Sequence, residues 1–275
     1  MQWPIYYIVG RRFNSERERL ETSLDYGNWI RKKNLLALGA GTLGAGALVF
    51  IPLGFLYRLT MTILFAVLLV SFLFPLYAYM MFSQQGGRLQ DKVYNLIIQR
   101  LGAKVKGRVL DIGSGNGVLA VKLAQQHGEA EVVGIDYWGK AWEYSKRVCE
   151  KNARAAQVEA RVHFQKGDAA ALEFASATFD AAISNLTFHE VASVADKRAV
   201  VREALRVVKP GGAFAFVDYF YDAKYYSTAS EFENYLTGLH LSEFKCNPLQ
   251  DVMAIPRLLR HPKILVRVGI LYGRK

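Results

Sequence analysis

Four short stretches of this 275-residue chain place acids, glycines and amides where they can grip a polar ligand. The first is Val109-Leu110-Asp111-Ile112-Gly113-Ser114-Gly115-Asn116-Gly117. Glycines permit positive φ and close ligand approach, and a helix opening after them presents free N–H groups. The spacing is GxGxG, because position 118 is valine, whereas a dinucleotide cradle wants GxGxxG. The second is Ile135-Asp136-Tyr137-Trp138, whose acid lies 19 residues past Gly117 and can accept both hydroxyls of a ribose. In the third, Lys166-Gly167-Asp168-Ala169, a carboxylate can accept from an adenine amino group. The fourth runs from Phe179-Asp180 to Ser184-Asn185-Leu186 and ends a strand that opens on a reaction site. Singly, each stretch has an ordinary structural use as a turn or a helix cap.

The surrounding pattern puts all four at equivalent places. Apolar runs at 108–111, 131–135, 160–165, 179–184 and 212–218 read as strands, and 118–126, 140–155 and 196–208 as helices between them. An amphipathic helix is expected over 89–101 and a turn at Lys209-Pro210-Gly211-Gly212. Short apolar strands alternating with helices imply a mostly parallel sheet covered on both faces, with ligands at the carboxyl ends of the strands.

In this order the motifs resemble those of the class I S-adenosylmethionine-dependent methyltransferases, in particular the quinone-biosynthesis and small-molecule branch. The segments carrying the resemblance are VLDIGSGNG, VVGID, KGDA, FDAAISNLTFHEV and LRVVKPGG, within residues 88–220. The resemblance implies an α/β, Rossmann-like sheet of seven strands with helices on both faces and an antiparallel final hairpin, for which 244–247 and 264–270 are candidates. It implies that Asp111, Gly113, Ser114, Gly115, Asn116 and Gly117 surround the methionine part of S-adenosyl-L-methionine. Asp136, with Tyr137 beside it, would hold the ribose, and Gly167, Asp168 and Ala169 the adenine. Asn185 would approach the methionine moiety, and Trp138 would pack on adenine.

Methyl transfer from a sulfonium depends on positioning and desolvation, and an oxygen or carbon acceptor must also lose a proton. His189, four residues past Asn185, faces the same cleft if a helix starts there, and is the candidate base. Glu190 is a second candidate, although consecutive helical residues point apart. Alternatively, His189 bonds backbone and shapes the pocket. Tyr219, Tyr221, Tyr225 and Tyr226 can line an acceptor pocket, with Tyr219 a candidate catalytic residue, or hold an amine by cation–π contact. They are equally suited to lying against lipid.

Composition adds a second theme. The chain is 52% hydrophobic and 21% charged, so it can bury a core, yet residues 35–82 hold a single charge, Arg58. One helix of that length would extend about 72 Å, against a hydrocarbon core of roughly 30 Å. Two membrane passes, 35–51 and 59–82, are expected, with Pro52-Leu53-Gly54 and Tyr57-Arg58 in the turn. A signal peptide fits poorly, since more than thirty residues precede the apolar stretch. Arg31, Lys32, Lys33, Arg88 and Lys92 flank the pair, which puts both ends on the cytoplasmic side. A helical pair docked on the soluble domain is the alternative. Gly39 to Gly44 matches GxGxxG, but no strand precedes it; Ala40/Gly44 and Gly41/Ala45 suit close helix approach instead.

The expected organisation is a basic segment 1–34, a hairpin 35–82 and a catalytic domain 88–275. The net charge of +11 is concentrated at the ends, seven basic against four acidic in 1–34 and six against one in 247–275. Anionic lipid is the expected partner, with Arg257, Arg260, Lys263 and Arg267 in the tail, and nucleic acid is not. Two cysteines and five scattered histidines give no metal-site spacing. A lipophilic acceptor such as a quinone, phospholipid amine or sterol is expected. The rivals are an anchored enzyme of a soluble acceptor and a cofactor-binding scaffold without turnover.

Overall fold

The computed structural model describes residues 24–139, 143–261 and 264–275, so most of the basic segment, and Pro262 and Lys263 of the tail, lie outside the described residues. The chain forms two compact units, one spanning Tyr26–Asp91 and the other Lys92–Lys275 together with Leu24 and Asp25.

The smaller unit holds α1 (Lys32–Leu48) and α2 (Phe55–Phe82). With 28 residues, α2 is about 42 Å long. Among the described residues it is the one helix long and apolar enough to cross a membrane, and no residue of its most apolar stretch is buried. The 17 residues of α1 give about 26 Å, so one candidate span appears where two were expected. A succession of turns stops α1 early: Phe50 N–H donates to Ala47, Ile51 to Leu48, and Pro52 has no N–H to continue. Gly54, at φ 100°, then opens α2. The GxGxxG run lies inside α1, and its contact face differs from the expected one. A Cβ at Gly39 would come within 3.0 Å of the Phe72 ring, and one at Gly46 within 3.1 Å of Phe65, whereas nothing approaches Gly41 or Gly44. Thr42 Oγ1 completes that face, donating to Leu38 O at 2.8 Å and lying 3.3 Å from Leu68 O.

The larger unit is built on seven strands: β1 (Gly107–Ile112), β2 (Ala130–Asp136), β3 (Val162–Lys166), β4 (Phe179–Asn185), β5 (Val208–Asp218), β6 (Glu243–Pro248) and β7 (Gly269–Arg274). Their order in the sheet is β3-β2-β1-β4-β5-β7-β6. The first five are parallel, and β7 runs antiparallel between β5 and β6. Between strands stand α4 (Val118–Gln126), α5 (Lys146–Ala155) and α6 (Arg198–Arg206), preceded by α3 (Leu89–Arg100). After β5 come the short α7 (Ala223–Tyr226), α8 (Ala229–Thr237) and α9 (Leu249–Val252). Leu110, Ile112, Phe214 and Phe216 on the sheet pack with Val200, Val201, Ala204 and Leu205 of α6 in one buried cluster. Central strands buried on both faces need such unbroken apolar runs.

Three expected elements are displaced. α5 begins at Lys146, capped by Ser145, whereas 140–142 lie outside the described residues. Lys209-Pro210-Gly211-Gly212 is a loop-out within β5: Phe179 pairs with Val208, yet Ala181 already pairs with Ala213. The last strand starts at Gly269, because residues 264–268 are tied into turns by Ile264 and Val266 N–H donating to His261 O and Val268 N–H to Leu265 O.

Candidate functional site

The parallel register brings the four motifs together at one edge. Asp111 of β1 stands opposite Gly134 of β2 and Ile183 of β4, while Asp136 pairs with Lys166 and Asn185 with Val217. After β1 the chain folds back on β2, with the N–H groups of Gly113 and Ser114 both donating to Ile135 O, at 2.8 and 3.0 Å. Gly113 has φ 78°, and a Cβ there would lie 1.9 Å from Thr187 Oγ1, so this position needs glycine for both conformation and space. Ser114 Oγ donates to Asp111 O at 3.1 Å, and Gly117 caps the N-terminus of α4 in the left-handed region.

Asp136 grips this loop. One carboxylate oxygen accepts from Gly115 N–H at 2.8 Å and the other from Trp138 N–H at 2.7 Å. Trp138 in turn donates its indole N–H to Gly115 O at 2.9 Å, which seats the ring on the loop. Burial pushes the Asp136 carboxyl above its ordinary range, and these backbone donors pull the other way. Tyr137 is exposed, with the Lys166 ammonium 4.7 Å from its ring centroid. Gly167 N–H donates to Asp136 O at 3.1 Å, Asp168 Oδ1 accepts from Ala170 N–H at 2.9 Å, and Ala169 is buried.

Sequence reasoning missed a contact on this loop. Asn152 of α5 is buried and pairs with the backbone of Asp25, accepting from its N–H at 2.9 Å and donating to its C=O at 3.0 Å. The same amide donates to Asn116 O at 2.9 Å. A lone asparagine on a helix carries no spacing signal that would mark it.

Among the described residues, both carboxylate oxygens of Asp111 are buried without a hydrogen-bond partner, as are the side-chain oxygens of Asn116 and Asn185. Burial pushes the Asp111 carboxyl up to about 7 against the pull of nearby Ser114, and the Asp136 charge adds to the rise. Four orphaned acceptor oxygens demand donors. The ammonium, ribose hydroxyls and adenine amino group of S-adenosylmethionine are donors, so the residues present fit that cofactor.

His189 sits at the neighbouring strand ends, on a single 3-10 turn (Phe188–Glu190) rather than the helix expected there. Its partner is Asp218, the last residue of β5, a single acid that no motif marks in the sequence. His189 Nδ1 is 2.9 Å from Asp218 Oδ1. Asp218 also accepts from the N–H groups of Phe188 (2.7 Å), His189 (3.3 Å) and Tyr219 (2.6 Å). Glu190 Oε1 lies 3.5 Å from the other ring nitrogen, Nε2. Burial works to lower the imidazole pKa, but Asp218 and then Glu190 outweigh it and raise it to about 9.

Of the four tyrosines, only Tyr219 and Tyr225 flank His189, with ring centroids 4.7 and 5.5 Å away. The Tyr219 hydroxyl donates to Ile264 O at 3.0 Å, and burial pushes it up to about 12, so Tyr219 offers a ring face more readily than a proton. Tyr226 is fully buried in the core against Phe220 and Phe232, and Tyr221, partly buried, packs against that core and donates to Cys246 O at 3.0 Å. Asp180 lies at the amino end of β4, away from the site, and pairs with Lys209 at 2.6 Å. In the tail, Arg267 pairs with Asp222 at 3.1 Å and Arg260 donates to Ile255 O, so part of that charge is used internally.

Residues 103–251, more than half of the chain, match the family model described as a methyltransferase domain, and the chain belongs to that family. Its cofactor is S-adenosyl-L-methionine. The 27-O-demethylrifamycin SV methyltransferase of Amycolatopsis mediterranei is 34% identical over 134 residues, covering 48% of this chain and 44% of that protein. A demethylmenaquinone methyltransferase of Deinococcus radiodurans is 28% identical over 112 residues, 41% of this chain and 43% of the relative. The chain spans about half the length of the curated relatives it matches. A solved structure from Nostoc punctiforme PCC 73102, provisionally assigned as an O-methyltransferase, superposes with a TM-score of 0.50 at 18% identity, covering 76% of this chain and 59% of that one. That likeness concerns the fold alone.

Proposed function

We propose that this chain is a membrane-anchored methyltransferase that methylates a lipophilic acceptor from S-adenosylmethionine. The observation that carries the enzymatic part is the set of orphaned buried oxygens on Asp111, Asn116 and Asn185 at adjoining strand ends, acceptors with no donor among the described residues. When bound, the cofactor supplies an electrophilic methyl on a sulfonium. Asp111 and the Gly113, Ser114, Gly115, Asn116, Gly117 loop hold its methionine part, with Asn185 beside it. Asp136 takes the ribose, between Tyr137 and Trp138, and Gly167, Asp168 and Ala169 take the adenine. His189, fixed by Asp218, faces the acceptor, and the rings of Tyr219 and Tyr225 exclude water there.

The anchor rests on α2, apolar, exposed and longer than the hydrocarbon core is thick. In this reading α1 is the second pass, and Arg31, Lys32, Lys33, Arg88 and Lys92 keep both ends and the domain 88–275 on the cytoplasmic side. One relative is named for a menaquinone precursor, which favours a quinone-like acceptor among lipophilic ones. The test measures activity of the full chain in bilayers against acceptors of increasing alkyl length. Rates rising with length support the reading, and a preference for short, water-soluble acceptors sinks its lipophilic half.

A further inference from the structure

A neutral imidazole has one donor and one acceptor nitrogen. His189 has a carboxylate on each: Asp218 Oδ1 at 2.9 Å from Nδ1 and Glu190 Oε1 at 3.5 Å from Nε2. Carboxylates accept only, so both nitrogens carry hydrogen and the ring is an imidazolium. The two partners differ in kind. Asp218 is 1% exposed and held by three backbone N–H groups as well as the ring, so it is fixed. The Glu190 side chain is 48% exposed, and its contact at 3.5 Å is the longer of the two.

Resting on the methyltransferase reading, we propose that the acceptor is an acidic hydroxyl, a phenol or enol bound as its anion, whose oxygen displaces Glu190 from His189 Nε2. Charges around the ring agree. From α7, Lys224 donates to the Tyr225 hydroxyl at 3.2 Å and lies 4.8 Å from that ring's centroid. Asp222 is paired with Arg267, and Asp218 with the imidazolium itself. Lys224 adds a second positive charge beside the imidazolium, so this group favours an anion over an amine or a neutral alcohol. Among the described residues the other titratable side chains against the ring are Tyr219 and Tyr225, whose rings at 4.7 and 5.5 Å suit a planar acceptor. A raised imidazole pKa, about 9, is consistent with this arrangement. The acceptor's proton goes to water as the anion enters, so His189 need not take it.

The experiment uses the full chain in detergent, saturated with S-adenosylhomocysteine, with 4-nitrophenol as probe at a pH below its own pKa. Binding should raise the phenolate absorbance saturably, and 4-nitrobenzyl alcohol, of similar shape but without an acidic proton, should compete at least about tenfold more weakly. Glu190→Gln should tighten phenolate binding by up to about fivefold, since it removes an exposed competing charge. His189→Asn should weaken it by roughly 10- to 150-fold. A probe that stays neutral when bound, does not bind, or binds no better than the alcohol overturns the proposal, and so does an unchanged or weakened Glu190→Gln. Calorimetry of S-adenosylhomocysteine on the same samples separates the failures: if the nucleoside does not bind either, the methyltransferase reading falls as well.

Discussion

Raising the pH from about 6 to 9.5 should cost this fold stability through one ring. In the folded chain His189 is held up at about 9, against 6.5 for a solvated histidine, a gap of about 2.5 units. A group whose folded pKa is raised contributes stability that is complete below its unfolded value and lost as pH climbs through the folded one. The window is therefore about pH 6.5 to 9. At 1.36 kcal/mol per unit the loss is about 3 kcal/mol, an upper figure because the Glu190 share is half-exposed and screened. For a domain of this size that corresponds to about 6–12 °C in Tm. The assay is thermal unfolding of wild type and His189→Asn in one detergent across that range. The difference between the two curves isolates His189 from other titrating groups. It should be largest near pH 6 and close by about pH 9.5. A difference that stays constant with pH refutes the imidazolium and everything built on it.

Asp111, raised to about 7 by burial, should lose its proton when an ammonium arrives beside it; calorimetry near pH 6 in two buffers of different ionisation enthalpy should show release of up to about one proton per S-adenosylmethionine bound, with affinity climbing toward pH 7 and then levelling. Asp136→Ala should weaken S-adenosylmethionine binding by roughly 5- to 150-fold, since ribose hydroxyls and the N–H groups of Gly115 and Trp138 lose their acceptor; wild-type affinity would show the ribose assignment to be wrong, and NADH should bind poorly to either protein. In Gly113→Ala the new methyl meets Thr187 Oγ1 at 1.9 Å at a positive φ, so cofactor affinity should collapse, and Thr187→Gly in the same chain should recover part of it; an unaffected single variant contradicts the packing described.

The cofactor end of the fold is legible because parallel strands bury both faces and so read as continuous apolar runs, each closed by glycine or an acid. Helix 118–126 is read to the residue, since Gly117 and the apolar run from Val118 mark its start. The acceptor end is harder. Asp218 is a single acid at a strand end, and only its place one residue past Val217, which pairs with Asn185, shows that it meets His189. The tyrosines look alike in sequence, yet Tyr226 fills the core between Phe220 and Phe232 while Tyr225 reaches the histidine. In α1 the small residues allow several packing faces, and the rotational phase that favours Gly39 and Gly46 over Gly41 and Gly44 is set by where Phe72 and Phe65 project from α2.

The most direct measurement incubates the full chain, reconstituted in bilayers, with methyl-labelled S-adenosylmethionine and a lipid extract, then counts label in the organic phase. Wild type should transfer label to an extractable lipophilic product, and His189→Ala should do so roughly 10- to 150-fold more slowly at low acceptor concentration, because it loses the charged donor that holds the acceptor. Label that stays in the aqueous phase, with the cofactor bound but never turned over, would contradict the account.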